Sequence, residues 1–199
     1  MADHHDDDLA PSKTEGFKVG EKKTIDEYNK LDQDDEALNR WKASLGLAAG
    51  DTISDPSDPR KCIIHSLALE VEGRPDITIE LTQPGALENL KKQPFIIKEG
   101  SRYQMKATFK VQHEVLSGLK YVQVVKRKGI RVDKHEEMIG SFAPNTTGSP
   151  TWSKKFAAEE APSGMIARGK YDAVSRFVDD DMHDHLKFEW TFEIAKDWA

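Results

Sequence analysis

Residues 103–111 read YQMKATFKV, and apolar and polar side chains alternate along the whole stretch. Successive side chains of a β-strand point to opposite faces of a sheet, so this alternation predicts a strand with one buried face. Residues 186–194, LKFEWTFEI, show the same pattern with bulkier apolar members. The two stretches together predict a β-sheet core that is built on large side chains.

Shorter stretches on either side repeat the pattern and are separated by turn signals such as Glu99-Gly100 and Lys128-Gly129. These further candidate strands are residues 66–71, 77–82, 94–98, 119–126, 129–133, 136–141 and 165–178. One brief helical candidate lies between Gly85 and Lys92. About nine short strands at this spacing predict an all-β fold, namely an antiparallel two-sheet sandwich of the immunoglobulin-like type.

The inward residues of the last stretch are unusually large: Phe188, Trp190 and Phe192. Plain core packing explains them, because aromatic side chains bury a large apolar surface. A second interpretation is that they hold the sheets apart around an apolar pocket for a lipid. The residues by themselves leave both interpretations open.

The chain has 199 residues and one cysteine, Cys62. A single cysteine excludes an internal disulfide and a cysteine-based zinc site, and no stretch approaches the roughly 20 apolar residues of a membrane-spanning helix. Residues 1–10 contain acids and histidines, whereas a secretory signal would have basic and then apolar residues. We therefore expect a cytosolic protein without stable membrane insertion.

Charge divides the chain into an arm, residues 1–59, and a domain, residues 60–199. The arm has 15 acidic and 7 basic residues, a net charge of −8, whereas the domain has 20 acidic and 22 basic residues, a net charge of +2. Before Ile25 the arm offers few apolar residues, too little burial to offset its conformational entropy. We therefore expect a flexible acidic arm in front of a folded sandwich.

Two short helices are predicted in the arm, which together form a helical hairpin at about residues 24–46. The first starts at a capping box, Thr24-Ile25-Asp26-Glu27. The second has Leu38 and Trp41 at helical spacing. Helices this short need a partner surface, because they are marginal in water. That surface is either the chain's own domain or a second protein, and the pattern does not decide between them.

No catalytic constellation, phosphate-binding loop or nucleophile elbow is found, so no enzyme and no cofactor are predicted. Acids and histidines cluster at residues 4–8 and 179–185 but lack a ligand frame, and no metal is predicted. Basic residues at 126–131 lack an accompanying aromatic platform, so nucleic-acid binding is not expected either.

Five strings along the chain resemble the Rho GDP-dissociation inhibitors when they are taken together. The strings are LDQDDE (31–36), FIIKEG (95–100), VLSGLKYV (115–122), EEAPSGMIARG (159–169) and FVDDDMHDHL (177–186). They occur in the family's order, and the resemblance extends from about residue 17 to Trp198. Five strings with matching spacing are far more specific than any single motif.

The resemblance implies a regulator that binds prenylated, GDP-bound Rho-family GTPases, slows GDP release and extracts the GTPase from membranes into the cytosol. It further implies that the arm folds across the GTPase switch regions and that the sandwich receives the geranylgeranyl chain between its sheets. A monomer alone and a 1:1 complex with the GTPase are expected. Two alternatives remain: a general lipid-shielding carrier for prenylated proteins, and an adaptor whose core is filled.

Site residues follow from the resemblance position by position. Asp35 matches the residue that accepts a hydrogen bond from the switch I threonine, and Leu38 and Trp41 match apolar positions of the hairpin. The residues that match positions near switch II are Asp133, Asp180 and Asp181. The residues that match positions around the isoprenoid pocket are Leu69, Phe95, Tyr103, Val115, Phe188 and Trp190. The residues that match an acidic patch facing the basic GTPase tail are Glu159 and Glu160.

The sequence departs from the family pattern at a few positions. Trp41 stands where a tyrosine is usual, and Phe188 stands where a tryptophan is usual. Residues 145–155 form a longer stretch with Lys154 and Lys155 where several glutamates are expected. We therefore expect a weaker acidic patch in this chain.

Overall fold

The computed structural model describes residues 8–12, 27, 30, 35–44 and 51–198. Within these residues the helices are α1 (Glu36–Ser44) and α2 (Ala86–Lys92). The strands are β1 (Cys62–Val71), β2 (Ile77–Glu80), β3 (Phe95–Lys98), β4 (Arg102–Val111), β5 (Leu116–Arg127), β6 (Ile130–Phe142), β7 (Trp152–Glu160), β8 (Gly169–Val178) and β9 (Asp184–Ala195). None of the helices in the described residues has the length and apolar character needed to cross a membrane.

The strands form two sheets, with orders β2-β1-β4-β7 and β3-β9-β8-β5-β6. The all-β, two-sheet sandwich is therefore confirmed, while the immunoglobulin-like type stays a prediction. One pairing differs from the expected antiparallel arrangement, because β3 lies parallel to β9 with Phe95 opposite Phe192. This parallel pair places two aromatic side chains side by side at the edge of the larger sheet.

Two strand predictions were wrong in detail. Residues 129–133 and 136–141 were predicted as two strands, but they belong to one continuous strand, β6. Its pairing with β5 continues without a break through His135 and its neighbours. Lys134 and His135, between the two stretches, lie within β6 and are exposed or half-buried there. Their polarity therefore reflects exposure of the strand and does not mark a turn. Strand β7 was missed, because a register shift against β4 near Lys106 interrupts its alternation. The shift belongs to an edge strand, where such irregularities are common.

Aromatic residues from both sheets meet in the core. The ring of Tyr121 in β5 packs 5.0 Å from that of Phe156 in β7 and 5.0 Å from that of Phe177 in β8. All three side chains are at most 2% exposed. Burial of each such residue contributes about 1.5–3 kcal/mol, so this cluster is a principal contact between the two sheets.

The second predicted arm helix is present as α1. Asp35 caps it, because its Oδ1 accepts hydrogen bonds from the backbone N–H of Ala37 at 2.8 Å and of Leu38 at 3.1 Å. The predicted first helix, from Thr24, lies outside the described residues except for Glu27 and Lys30, which are helical.

Two segments of the arm contact the sandwich. Residues 51–59 run along it, with Ile53 N donating to Asn145 O at 2.9 Å and His113 N donating to Ser54 Oγ at 2.9 Å. Residues 8–12 lie on the larger sheet, and Leu9 is 1% exposed. The sequence predicts no packed residue there, since apolar residues are sparse in this segment. One leucine nevertheless packs onto valines of the sheet.

Candidate functional site

An apolar cavity lies between the two sheets at the end where β4 begins. Its volume is about 40 Å³, and its walls include Leu69 and Ile79 from the smaller sheet and Phe95, Trp190 and Phe192 from the larger one. A water molecule needs about 10–15 Å³ of such space, so this cavity has room for only a few molecules of that size. A long lipid chain therefore requires the cavity walls to move apart.

A wider cavity of about 340 Å³ continues outward from the first. The residues that line both are Ile97, Tyr103, Gln123, Glu159 and Phe192. The wider cavity is also lined by the exposed carboxylates Asp133 and Glu160. The two cavities thus form one path from an acidic mouth to an apolar interior.

Aromatic rings form one wall of this path. The rings of Phe95 and Trp190 meet edge to face, with 5.9 Å between centroids and an interplanar angle of 75°. Phe192 lies 5.4 Å from Trp190 and stacks on Tyr171 at 5.1 Å. These contacts arise because β3, β9 and β8 are neighbours in the larger sheet. The wall is therefore apolar and has few rotatable bonds.

A chain of buried hydrogen bonds supports Trp190 from behind. Its indole Nε1–H donates to Ser175 Oγ at 2.9 Å, Ser175 hydrogen-bonds Tyr121 Oη at 2.8 Å, and Tyr121 Oη donates to Gln123 Oε1 at 2.6 Å. Burial raises the pKa of Tyr121, so the phenol stays neutral and can donate. Because these polar groups are satisfied by one another, Trp190 can present its ring to the cavity without an unpaired donor.

Tyr103 and Glu159 connect the cavity wall to its mouth. They are opposite each other in the β4–β7 pairing, and Tyr103 Oη donates to Glu159 Oε2 at 2.9 Å. Burial, and secondly the charge of Glu159, raise the pKa of Tyr103, so the phenol remains a donor. Glu160 follows on the exposed side of β7. A cationic segment at the mouth can therefore contact carboxylates directly beside the apolar space.

Four of the six predicted pocket residues line the inner cavity: Leu69, Phe95, Tyr103 and Trp190. Phe188 is buried two residues from Trp190 on the same strand face but is outside the cavity lining. Val115 lies in the connection from β4 to β5, at the opposite end of the sandwich from Tyr103, and is not brought to the cavity.

Ile77 and Ile79 line the cavity but were missed as site residues, and Phe192, which was considered as a possible pocket wall, was not among the residues assigned from the resemblance. The signal that could have found them is the strand alternation itself. Ile77 pairs with Leu69, and Phe192 pairs with Phe95, so each is the cross-strand neighbour of a predicted pocket residue. These neighbours can be identified only when the register of the paired strands is known, and the sequence does not give that register.

The predicted switch-contacting acids lie at two places on the sandwich. Asp133 pairs with Val125 near the end of β5, whereas Asp180 lies beside Gly118 near its start. Seven residues of strand separate these positions, or about 23 Å at 3.3 Å per residue. Asp181 is exposed in the same turn as Asp180. The structure therefore does not bring the three acids into one cluster.

In the arm, Asp35 is exposed and Leu38 is half-buried on α1. The side chain of Trp41 lies outside the described part of the chain, so its predicted role remains a prediction. The hydrogen bonds that cap α1 use Oδ1 of Asp35. The capping role and the predicted switch I contact thus involve the same carboxylate.

The turn between β8 and β9 is held by Asp179. Its Oδ1 accepts a hydrogen bond from His183 N at 2.8 Å, and Oδ2 pairs with His185 Nε2 at 3.0 Å. Burial would raise the pKa of Asp179, but these two hydrogen bonds lower it below 3.8. The next residue, Asp180, has a raised pKa because it is partly buried against the start of β5. Asp179 is thus structural, and it positions Asp180.

Gly118 makes room for the Asp180 carboxylate. Its φ is +59°, and a Cβ on this residue would lie 1.8 Å from Asp180 Oδ2. Asp180 N also donates to Ser117 O at 3.1 Å. A side chain at position 118 would therefore displace Asp180.

Lys155, in the unusual stretch 145–155, pairs with an acidic residue of the smaller sheet. Lys155 Nζ lies 2.5 Å from Glu70 Oε2, on the outer side of the smaller sheet, and Glu70 also pairs with Lys106 at 2.6 Å. Hydrogen bonds from these two lysines lower the pKa of Glu70. Lys155 therefore pairs with Glu70 and not with Glu159 or Glu160.

Comparisons with known proteins agree over nearly the whole length of the chain. A sequence profile of the family described as "RHO protein GDP dissociation inhibitor" matches residues 2–197. The chain is 46% identical over 182 residues to the "Rho GDP-dissociation inhibitor" of Saccharomyces cerevisiae, covering 90% of each chain. It is 44% identical over 200 residues to that of Schizosaccharomyces pombe, with 99% and 96% covered. It is 42% identical over 183 residues to "Rho GDP-dissociation inhibitor 1" of Homo sapiens, with 92% and 86% covered.

Proposed function

The chain belongs to the RHO protein GDP dissociation inhibitor family, whose members are regulators and not enzymes, and we propose its function on that basis. The chain binds prenylated, GDP-bound Rho-family GTPases, slows the release of GDP and extracts the GTPases from membranes into the cytosol. The inhibitor is a monomer alone and forms a 1:1 complex. Three parts of the molecule support this proposal in different ways.

The apolar cavity supports lipid binding. At about 0.8 kcal/mol per buried CH₂, a twenty-carbon chain gains on the order of 10–16 kcal/mol in a membrane, so a competing site must be comparably apolar. The aromatic wall of Phe95, Trp190 and Phe192 is of that kind. The cavity must widen as the lipid enters. The favourable free energy of burying the lipid offsets the cost of moving the cavity walls apart.

The acidic mouth supports binding of a basic GTPase tail. A prenylated GTPase with such a tail is held at the membrane by its lipid and by anionic headgroups. Glu159 and Glu160 replace the headgroups while the cavity takes the lipid, and Asp133 adds a third carboxylate at the same mouth. Charge complementarity of this kind favours association and correct orientation.

The capped helix α1 supports the proposed clamp on the switch regions. Asp35 caps the start of this helix and Leu38 is on its first turn, and the helix is joined to the sandwich through residues 45–61. A segment that orders the switches stabilises the nucleotide-bound state and thereby slows GDP release, without a chemical step. The covalent connection raises the effective concentration of each part for the same GTPase.

The observation that carries the proposal is an apolar space between the sheets that ends at carboxylates. A titration tests it with prenylated and unmodified Rho-family GTPase against the full chain and a chain that lacks residues 1–50. The 1–50 deletion keeps the contacts of residues 51–59 with the sandwich. We expect tight binding only for the prenylated GTPase and the full chain, and loss of GDP-release inhibition on deletion.

The two alternatives give different results in the same titration. A general carrier would bind prenylated peptides as tightly as the whole GTPase, and the deletion would have no effect. An adaptor with a filled core would bind prenylated and unmodified GTPase equally. Either result would overturn the proposed function.

A further inference from the structure

The outer face of the larger sheet has an apolar stripe that is covered by residues 8–12. The stripe consists of Val122, Val124, Val174 and Val178. Outward faces of sandwich sheets are normally polar, so adjacent valines there require a cover. Leu9 provides it, since its side chain packs on the stripe and is 1% exposed. Pro11 is buried as well.

Basic side chains from three strands bind the backbone of this segment. Arg176 of β8 donates to Leu9 O at 3.3 Å, Lys134 of β6 donates to Ala10 O at 2.9 Å, and Lys120 of β5 donates to Ser12 O at 3.1 Å. Contacts to main-chain carbonyls do not depend on the identity of the bound side chains. The valine stripe and these three basic side chains, which together we call the groove, therefore recognise a peptide backbone.

Side chains at the two ends of the segment set its direction and charge. Asp8 Oδ1 pairs with Arg131 NH1 at 2.6 Å. At the other end, Ser12 N donates to Glu136 Oε2 at 2.9 Å, and Ser12 Oγ donates to Glu136 Oε1 at 2.7 Å. The groove is cationic where the acidic start of the segment lies, and it has a carboxylate acceptor at the far end.

The groove thus has a definite ligand chemistry: an acidic residue, then one apolar anchor, in a segment of about five residues. The charged groups that face it are Lys120, Arg131, Lys134, Glu136 and Arg176, with Asp184 paired to Arg176 behind it. It lies on the opposite face of the larger sheet from the cavity, because Tyr121 and Gln123 point inward where Val122 and Val124 point outward. A ligand here does not enter the cavity.

We propose that this groove is a docking site for acidic peptide segments with a single apolar anchor, and that residues 8–12 are its built-in occupant. A free peptide with the sequence of this segment therefore competes with the chain's own residues for the same site. One anchor and a few backbone contacts bind weakly by themselves, so the internal segment stays in place through its tether, at an effective concentration of about 1 mM.

The test uses the full chain with ¹³C-labelled valine methyl groups and a synthetic peptide of residues 5–14 as the probe. Leu9→Asp removes the internal anchor and leaves the sandwich core unchanged. We expect this variant to shift the methyl resonances of Val122 and Val124, and the added peptide to restore them. Wild-type chain should bind the peptide more weakly because its groove is occupied, by about tenfold for a segment whose own dissociation constant is about 0.1 mM against an effective concentration of about 1 mM.

Matched controls separate the groove from the segment. Ala10→Ser changes an exposed neighbour of Leu9 and should leave the spectrum as in wild type. Lys134→Glu combined with Leu9→Asp should abolish peptide binding, as should a peptide with aspartate in place of the leucine. An unchanged valine spectrum in Leu9→Asp would overturn the proposal. So would a peptide that fails to shift these methyl groups in that variant, or that binds it and wild type equally.

Discussion

The phenol of Tyr103 donates a hydrogen bond of 2.9 Å to Oε2 of Glu159, and this contact joins the apolar cavity to its acidic mouth. The two residues face each other across the β4–β7 pairing, so the sheet register fixes their separation. A lipid in the cavity and a cationic tail at the mouth would therefore be bound by neighbouring residues. Burial of the phenol keeps it protonated, because burial raises its pKa.

Tyr103→Phe should weaken binding of a prenylated GTPase that has a basic tail. The variant keeps the apolar wall but leaves Glu159 without its hydrogen bond, which costs about 0.5–1.5 kcal/mol, or roughly a 2- to 13-fold rise in the dissociation constant. The measurement is repeated with a GTPase whose tail is neutralised, where the variant should bind like wild type. An equal loss with both tails would show that the hydrogen bond does not position Glu159 for the tail.

Replacement of Asp35 separates its capping role from its proposed contact with switch I. Asp35→Ala should weaken GTPase binding by about 1–3 kcal/mol, the range for a buried polar group that loses its partner. Asp35→Ser retains a good helix cap, so α1 should be kept in that variant while the carboxylate is lost. We expect both variants to bind weakly in calorimetric titrations. Wild-type affinity of the Asp35→Ser variant would show that Asp35 contributes only by capping α1 and makes no contact with switch I.

Gly118→Ala should displace Asp180. The left-handed backbone at this position costs a non-glycine residue about 1–2 kcal/mol of unfolding free energy, and the new Cβ would overlap the Asp180 carboxylate. Gly73→Ala is the matched control, because Gly73 has φ +80° but no atom within 4 Å of the added Cβ. Both variants should lose stability in urea unfolding, and only Gly118→Ala should also lose GTPase affinity. Equal affinity of the two variants would remove Asp180 from the binding surface.

The pH dependence of stability should reveal Asp179. Its pKa in the folded chain lies below the ordinary 3.8, because hydrogen bonds from His185 and from His183 N outweigh the effect of burial. A carboxyl whose pKa is lowered on folding stabilises the chain above the unfolded pKa, and this stabilisation is lost as the pH falls through the folded value.

Asp179→Asn should therefore lower the free energy of unfolding by about 1–3 kcal/mol at neutral pH, and the difference from wild type should shrink below about pH 4. Urea unfolding between pH 7 and pH 3 measures this difference, with the exposed Asp172→Asn as the control. A difference that stays constant over the whole range would show that the Asp179 charge does not contribute.

The sequence predicted the sheets well where alternation was regular. Strands β4 and β9 follow directly from the alternation at 103–111 and 186–194, and their inward residues form much of the core and the cavity wall. Strand β7 did not follow, because a register shift breaks its period. Val115 was also misplaced, because its distance from the cavity depends on which ends of the strands lie next to each other in the fold. The spacing of residues along the chain does not give that arrangement.

Long-range contacts of short segments could not be predicted from local pattern. Leu9 stands alone among polar and acidic residues, and its burial depends on valines more than 100 positions away. Val122 and Val124 are apolar residues on the outer face of β5, where polar residues are expected. This departure indicates that some segment covers them, but it does not indicate which one. The identity of the covering segment required the three-dimensional structure.

We propose that the isoprenoid of a bound GTPase lies between the two sheets. Photo-crosslinking of the full chain to a Rho-family GTPase that bears a photoreactive isoprenoid, followed by mass spectrometry, tests this most directly. We expect labels on cavity residues such as Leu69, Phe95 and Trp190, and we expect unlabelled prenylated GTPase to reduce this labelling. Labels confined to outer-face residues, with these three unmodified, would contradict it.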